Sequence, residues 1–269
     1  MNQNPKEAFD LQFCLEGKDR AVSYKKYHAI SRELSYRTDA VSLKLGDRLL
    51  FEGHWPEYRI QYRQPEEDLD LSLQLDSRPG VHWWTYSPRI YCHYTSFCDC
   101  SLEWRWKGAD GALSVPALHD HGWGRNLLPM RTPLRVFRYE VLRLPDGGFA
   151  LSLWTEGPGG LELRNVGLIR SETAQALCMK HYACRVLAWE VFDNYEGRPC
   201  RVPQRWVGTQ RGEASEFVYQ AERTSTPRNI FGEGFLYGFE YKGRITGSRL
   251  PSKMVEGSGY AEHFGFAQK

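Results

Sequence analysis

Residues 118–126 read LHDHGWGRN, placing His119, Asp120, His121 and Trp123 within one short stretch. A carboxyl group buried among apolar side chains keeps its proton to higher pH than in water, and an adjacent imidazole can tune or reload that proton. Aromatic faces beside it attract developing positive charge. Asp120 is therefore a candidate Brønsted acid, with His121 and His119 setting its protonation state. Two other readings stand beside this one. Asp120 and a histidine can form a structural hydrogen-bonded pair at a strand end. Alternatively, His119 and His121 can grip a metal ion as an H-x-H pair. For that metal Cys98, Cys100, His93 and Glu262 qualify as further ligands by type only. In an extended chain His119, His121 and Trp123 point one way and Asp120 the other. Gly122 and Gly124 can admit a bulge that would change this alternation.

Two further stretches carry chemistry-bearing residues. WWTYSPR (83–89) sets Trp83, Trp84 and Tyr86 before a Ser-Pro turn. It reads either as a packed strand end or as a cavity wall whose Tyr86 hydroxyl fixes a ligand. GSGYAEHFGF (257–266) puts Glu262 on one strand face with Tyr260, Phe264 and Phe266. A carboxylate among aromatic rings is costly unless paired or functional. The structural reading is an ion pair with Arg89 or Arg138. His263 points the opposite way and is expected at the surface. No P-loop, G-x-G-x-x-G opening a helix, G-x-S-x-G elbow or H-E-x-x-H is present. FGEGFLYG is glycine-rich but sits in a strand context, so it does not read as a phosphate cradle.

The elements that must position these residues show a period of two. In DLDLSLQLD, Leu69, Leu71, Leu73 and Leu75 alternate with polar residues, as a half-buried strand requires. CDCSLEWRWK repeats this, with Cys98, Cys100, Leu102, Trp104 and Trp106 on one face, and GADG then turns the chain into ALSVPAL. VFRYEVLRL and GFALSLW flank PDGG, with Phe137, Tyr139 and Val141 on one face of the first strand and Phe149, Leu151 and Leu153 on one face of the second. FLYGFEY places Phe235, Tyr237, Phe239 and Tyr241 together. SETAQALCMKHYA (171–183) is the best helix candidate, capped by Ser171 and rich in helix formers.

Composition narrows the function. The chain has 269 residues, 41% of them hydrophobic and 14% aromatic, with nine Trp, enough for a sizeable core and apolar walls. A net charge of +2 without a basic run gives no case for nucleic acid. The polar start MNQNPKEAFDLQF does not resemble a signal peptide, and no apolar run suggests membrane insertion, so a soluble cytoplasmic protein is expected. Seven Cys without paired C-x-x-C motifs read as reduced thiols. Cys98 and Cys100 share a face but are too close in sequence for a relaxed disulfide.

Many short strands between turn signals give an all-β fold. RNLLPMRTP (125–133) is the candidate boundary, dividing the chain into a unit over 1–132 and a unit over 133–269. The order of motifs then resembles the hydroxyneurosporene synthase (carotenoid hydratase) family and its lipocalin-like relatives, including natural-product cyclases. The matching residues are Tyr86, Ser87 and Pro88; Asp120, His121, Trp123 and Gly124; and Gly257, Gly259, Tyr260, Glu262 and Gly265. The resemblance runs from about residue 40 to the end. It implies two lipocalin-like antiparallel β-barrel or sandwich units packed together, few short helices, an apolar pocket and no cofactor. AEHFG in the last strand, where relatives carry more aliphatic residues, and His119 before the motif depart from the family pattern.

The resulting expectation is a cofactor-independent cyclase, hydratase or isomerase on an apolar isoprenoid or polyketide-type small molecule. Asp120 would act with His121 and His119, while Trp83, Trp84, Tyr86, Trp123, Tyr260 and Glu262 would line the substrate. The competing expectation is a non-catalytic carrier of hydrophobic ligands on the same fold.

Overall fold

Side chains that alternate in polarity along a strand commit each residue to one face, and this alternation organises nearly all of the chain. The structure, a computed structural model, describes the backbone of residues 8–17, 20–30, 34–36, 41–87, 91–124, 135–170, 177–231, 234–247 and 252–264. It describes the side chains of 41–77, 96, 98–115, 117–119, 135–162, 165–170, 179–229, 234–247 and 252–264. The strands are β1 (Ala8–Gly17), β2 (Arg20–Ile30), β3 (Leu34–Tyr36), β4 (Val41–Leu45), β5 (Leu49–His54), β6 (Glu57–Gln64), β7 (Leu69–Ser87), β8 (Tyr91–Trp106) and β9 (Ala109–Gly124). They continue as β10 (Val136–Arg143), β11 (Phe149–Glu156), β12 (Glu162–Arg170), β13 (Leu177–Met179), β14 (His181–Asp193), β15 (Pro199–Arg211), β16 (Ser215–Arg223), β17 (Arg228–Phe231), β18 (Gly234–Gly247) and β19 (Lys253–Phe264). The fold is all-β, and every pairing in it is antiparallel. Among the described residues no helix is long and apolar enough to cross a membrane.

The chain forms two units, residues 1–125 and 126–269. The boundary expected after residue 132 falls in 125–134, outside the described residues. Unit 1 holds the β1–β2 hairpin and a seven-stranded sheet running in sequence order from β3 to β9. The alternations read from the sequence are present. Leu69, Leu71, Leu75, Cys98, Cys100 and Trp106 are buried, whereas Asp99, Ser101, Glu103 and Arg105 face solvent. Cys98 and Cys100 are free thiols. The hairpin between β8 and β9 turns on Lys107 and Gly108, two residues ahead of the Ala109–Asp110 centre of GADG. Lys107 and Gly108 both have positive φ, 51° and 75°, as a two-residue turn of this hand requires.

Unit 2 is a curled ten-stranded sheet ordered β13-β12-β11-β10-β19-β18-β16-β15-β14, with β17 pairing beside β18. The PDGG turn joins β10 to β11, and Gly148 N–H bonds to Asp146 Oδ1 at 3.1 Å. The helix expected over 171–183 does not form where the chain is described: 177–179 is β13 and the chain from His181 is β14. Its residues 171–176 lie outside the described residues. Helix propensity loses here to ladder pairing, because HYACRV alternates and pairs with β15, and the pairing resumes from Ala188 after an irregularity at Leu187.

The interior of unit 2 is filled by aromatic rings. Trp206, Phe217, Tyr219, Phe235, Tyr237 and Phe239 are each no more than 2% exposed. Glycines make room for them. A Cβ on Gly208 would sit 2.1 Å from the Tyr219 ring, and one on Gly259 would sit 2.6 Å from the Phe239 ring. The G-x-G of the closing motif therefore carries a packing role.

A charged group lies within this interior. Arg138 and Glu140, both 0% exposed, form an ion pair on β10, with Nε to Oε1 at 2.5 Å. Arg138 also donates to Tyr182 at 3.0 Å and Tyr237 at 3.3 Å and stacks over Trp206 at 4.8 Å. Tyr219 donates to the other Glu140 oxygen. Burial pushes the Tyr182, Tyr219 and Tyr237 phenols up and the Cys184 thiol to about 11, so all four stay protonated at neutral pH. This corrects two sequence expectations. Arg138 is not the partner of Glu262, because it pairs in register with His263 and shares that residue's face. His263 is not at the surface but 2% exposed, packed against Phe235 and Tyr237. Arg89, the other arginine considered for Glu262, lies outside the described residues.

Glu140→Ala leaves a buried guanidinium without its counter-charge and should cost about 3–5 kcal/mol, measured by urea unfolding. Replacing Arg138 and Glu140 together by Met and Leu should cost less than Glu140→Ala alone. Burial, with the Arg138 charge beside it, lowers His263 from its ordinary 6.5 to about 3. Between those two values the unfolded chain binds a proton that the folded chain does not, so the His263 contribution to stability is lost as pH falls from 6.5 toward 3. A Tm–pH curve should slope less over that window in His263→Phe than in the wild type.

Candidate functional site

In unit 1 the motif residues are brought together by one uninterrupted ladder. β8 and β9 pair without a shift from Tyr91 opposite Gly124 to Trp106 opposite Ala109. The bulge allowed at Gly122 and Gly124 is absent, and the alternation continues through the motif. β7 flanks β8 on its other side. Cross-strand rows therefore read Val81–Ser96–His119, His82–Thr95–Asp120, Trp83–Tyr94–His121 and Tyr86–Cys92–Trp123. Trp84 sits where the β7–β8 register shifts, between Trp83 and Thr85. Residues almost forty positions apart in sequence thus share adjacent rows, and Asp120 takes the row between those of His119 and His121. The side chains of Trp83, Trp84, Tyr86, His93, Asp120, His121 and Trp123 lie outside the described residues, so their places here are backbone places.

His119 anchors this stretch to the unit 1 core. Its ring is half-buried and meets Tyr58 edge-on, with centroids 5.1 Å apart at 73°. Its row partner Ser96 is 0% exposed. Next along β8, Cys98 lies 3.3 Å from Ser77 Oγ, and burial raises its thiol, which stays protonated. The face reached by His119 is thus the apolar inner face of the sheet, beside Tyr58, Leu75, Cys98 and Cys100. Among the described residues no three His, Cys, Asp or Glu side chains are grouped as a metal ion would need.

In unit 2, Tyr260 and Glu262 lie on the outer face of β19, opposite to Ala261 and His263, which face inward. Glu262 pairs across to Tyr139 on β10 and to Leu236 on β18. It is flanked on its own strand by Tyr260 and Phe264, and all three are half-buried. Phe137 and Phe264 stack with centroids 5.5 Å apart at 6°, while Tyr139 and Tyr260 meet edge-on at 6.2 Å and 70°. This outer face is itself apolar: Tyr139, Val141, Leu151 and Leu153 are buried on it. Sequence reasoning placed Tyr260 and Glu262 on one face but did not include Tyr139 and Phe137 in the set. The available signal was their shared alternation in VFRYEV, which shows a face without showing which strand lies beside it.

The fold is shared with solved proteins of very different sequence. A protein from Nitrosomonas europaea, provisionally described as AttH, superposes with a TM-score of 0.69 at 13% identity, covering 99% of this chain and 84% of that one. Kievitone hydratase from Nectria haematococca gives 0.60 at 13% identity, covering 90% of this chain and 75% of that one. CghA, solved with Sch210972, gives 0.60 at 10% identity, covering 94% of this chain and 79% of that one. No curated protein matches by sequence. The family model that matches, over residues 18–268, is that of a family of unknown function, DUF6670, and the chain belongs to that family.

Proposed function

We propose that this chain is a cofactor-independent hydratase, cyclase or isomerase acting on an apolar isoprenoid or polyketide-type molecule. The observation that carries this reading is the fold shared with a protein named as a kievitone hydratase and with CghA; on it the Asp120 row lies between the His119 and His121 rows, whose positions belong to the opposite strand face. A carboxylic acid on an aromatic-rich sheet is the minimum equipment for protonating an alkene. The likeness of fold to a protein named as a kievitone hydratase, and to CghA solved with a small organic compound, supports the same class. The resemblance of the D-H-x-W-G and G-x-G-Y-x-E-x-x-G motifs to hydroxyneurosporene synthases points the same way.

In this reading the Asp120 carboxyl gives its proton to an alkene carbon, and the electron pair of the double bond forms the new C–H bond. In a hydration, water adds to the cation and the resulting oxonium gives its extra proton to the Asp120 carboxylate or to solvent; in a cyclisation, a second double bond adds to the cation, the charge moves to a new carbon, and loss of a neighbouring proton to the same acceptors gives the cyclic alkene. Loss of a proton from a neighbouring carbon gives an isomer. His119 and His121 adjust the Asp120 proton through their charge. Trp83, Trp84, Tyr86 and Trp123 are the candidate aromatic contacts of the substrate in unit 1. A positioned acid contributes roughly 100- to 10,000-fold. The remaining acceleration comes from holding a flexible chain in a reactive conformer.

The test is deuterium transfer. The protein is incubated in D2O with acyclic isoprenoid alkenes of farnesyl to carotenoid length, and products are analysed by mass spectrometry. Carbon-bound deuterium should appear with the wild type. It should fall by about 100-fold or more with Asp120→Asn, whose Tm should stay close to the wild type. An unchanged rate in Asp120→Asn removes the acid. Tight binding of these alkenes with no deuterium transfer assigns the protein as a carrier.

A further inference from the structure

Large apolar side chains open to water gather on one hairpin of unit 2. Leu187 is 41% exposed, Val191 61% and Tyr195 66%. Leu187 and Val191 belong to β14, and Tyr195 to the turn that leads into β15. Trp189 lies between them, half-buried, with the Arg201 guanidinium 4.8 Å from its ring centre. The register sets Ala188, Trp189 and Val191 opposite Arg205, Pro203 and Arg201, so these six share one face. It is the outer face, because Val202 and Trp206, between them along β15, are buried in the core. Arg185 joins the same face opposite Val207. Other arginines of the hairpin are neutralised, Arg198 by Glu196 at 3.1 Å and Arg211 by Glu216 at 2.6 Å. Arg185 and Arg205 are exposed and form no ion pair among the described residues. The carboxylates on this face are Asp193, beside the turn, and Glu222, opposite Arg205 on β16.

Apolar side chains exposed singly are ordinary, whereas a group of them set among arginines marks a surface that meets something. A second β-strand is a poor occupant. β14 is the last strand of its sheet, but its register with β15 shifts twice between Val186 and Trp189. An edge interrupted in this way lacks the regular row of N–H and C=O groups that strand addition requires. A phospholipid surface asks for no such row. It takes aliphatic and aromatic side chains into the boundary between headgroups and acyl chains, and guanidinium groups among the phosphates. Docking of this kind needs no membrane-spanning segment. We propose that the outer face of the β14–β15 hairpin docks on the surface of an anionic phospholipid bilayer. This goes beyond the chemistry proposed above and does not depend on Asp120.

The test is flotation of the full chain, without substrate, on vesicles of phosphatidylcholine containing about 30% phosphatidylserine. The wild type should rise with these vesicles, and less with phosphatidylcholine alone. Leu187→Ser combined with Val191→Ser should lower the partition coefficient about 10-fold or more on both. Arg185→Gln combined with Arg205→Gln should lower it by about the same factor on the anionic vesicles and remove the preference for them. This pair decides the matter if the serine variant does not fold. Met254→Ser, which removes a side chain 66% exposed on β19, should leave flotation unchanged. Wild-type protein that stays at the bottom of the gradient overturns the proposal. So does flotation that the serine variant retains in full, or that Met254→Ser lowers as much. A mass that doubles with concentration in the wild type but not in Val191→Ser, without flotation, overturns it too and assigns the face to a second copy of this chain.

Discussion

The ion pair between Arg138 and Glu140 fixes the parity of unit 2. Both residues have no solvent exposure, and they sit two positions apart on β10, so they occupy the same side of the sheet. A buried guanidinium and carboxylate are tolerable only when paired and hydrogen-bonded. Tyr182, Tyr219 and Tyr237 supply those bonds from β14, β16 and β18. A slip of one residue in β10 would put both charges on the apolar outer face, away from all three phenols. The register with β19 is therefore tied to the ion pair. That register sends His263 inward and Glu262 outward, so the arrangement of rings around Glu262 depends on a polar network on the opposite side of the sheet.

The same network leaves the described interior of unit 2 dense. Glycines at 208, 243, 257 and 259 lie under Tyr219, Tyr241 and Phe239, and each ring occupies space a side chain would otherwise need. A lipocalin-like barrel commonly keeps its interior for a ligand. Here the described interior holds packed aromatic rings around an ion pair.

Strands and hairpin turns were legible in the sequence because alternation and turn chemistry are local. Leu69 to Leu75 and Cys98 to Trp106 reveal their buried face without knowledge of any neighbour. What sequence could not show was which strands would be buried on both sides. In VFRYEVLR, alternation sets Arg138 and Glu140 on the face opposite Phe137, Tyr139 and Val141, and nothing local shows that this face is buried as well, because charged residues are seldom buried unless paired. Their burial depends on β14, β16 and β18, which are distant in sequence. The reading of His263 as exposed failed for the same reason. The helix expected from Ser171 failed differently, since residue preferences that suit a helix were outweighed by a ladder of twelve residue pairs with β15, shifted in register around Ala188. Of the candidate site, the motif residues and their face relations were legible, whereas the contribution of Tyr139 and Phe137 required the β10–β19 register.

That register logic also constrains any proton supply to Asp120. Successive positions in a regular strand alternate between faces, so neither His119 nor His121 shares the Asp120 row. Their influence on an acid at position 120 is then through charge across the backbone, which tunes a pKa without passing a proton directly. The residues that do share its row are Thr95 and His82, on the next strand and the one beyond. With neighbouring strands about 4.8 Å apart, position 82 stands roughly 10 Å from position 120, and Thr95 lies between them. A hydroxyl that can both donate and accept is suited to link a carboxyl to a more distant imidazole. Under the proposed acid role, reprotonation of Asp120 would fall to solvent or to the Thr95–His82 row, while the adjacent histidines would set how readily the proton is given up.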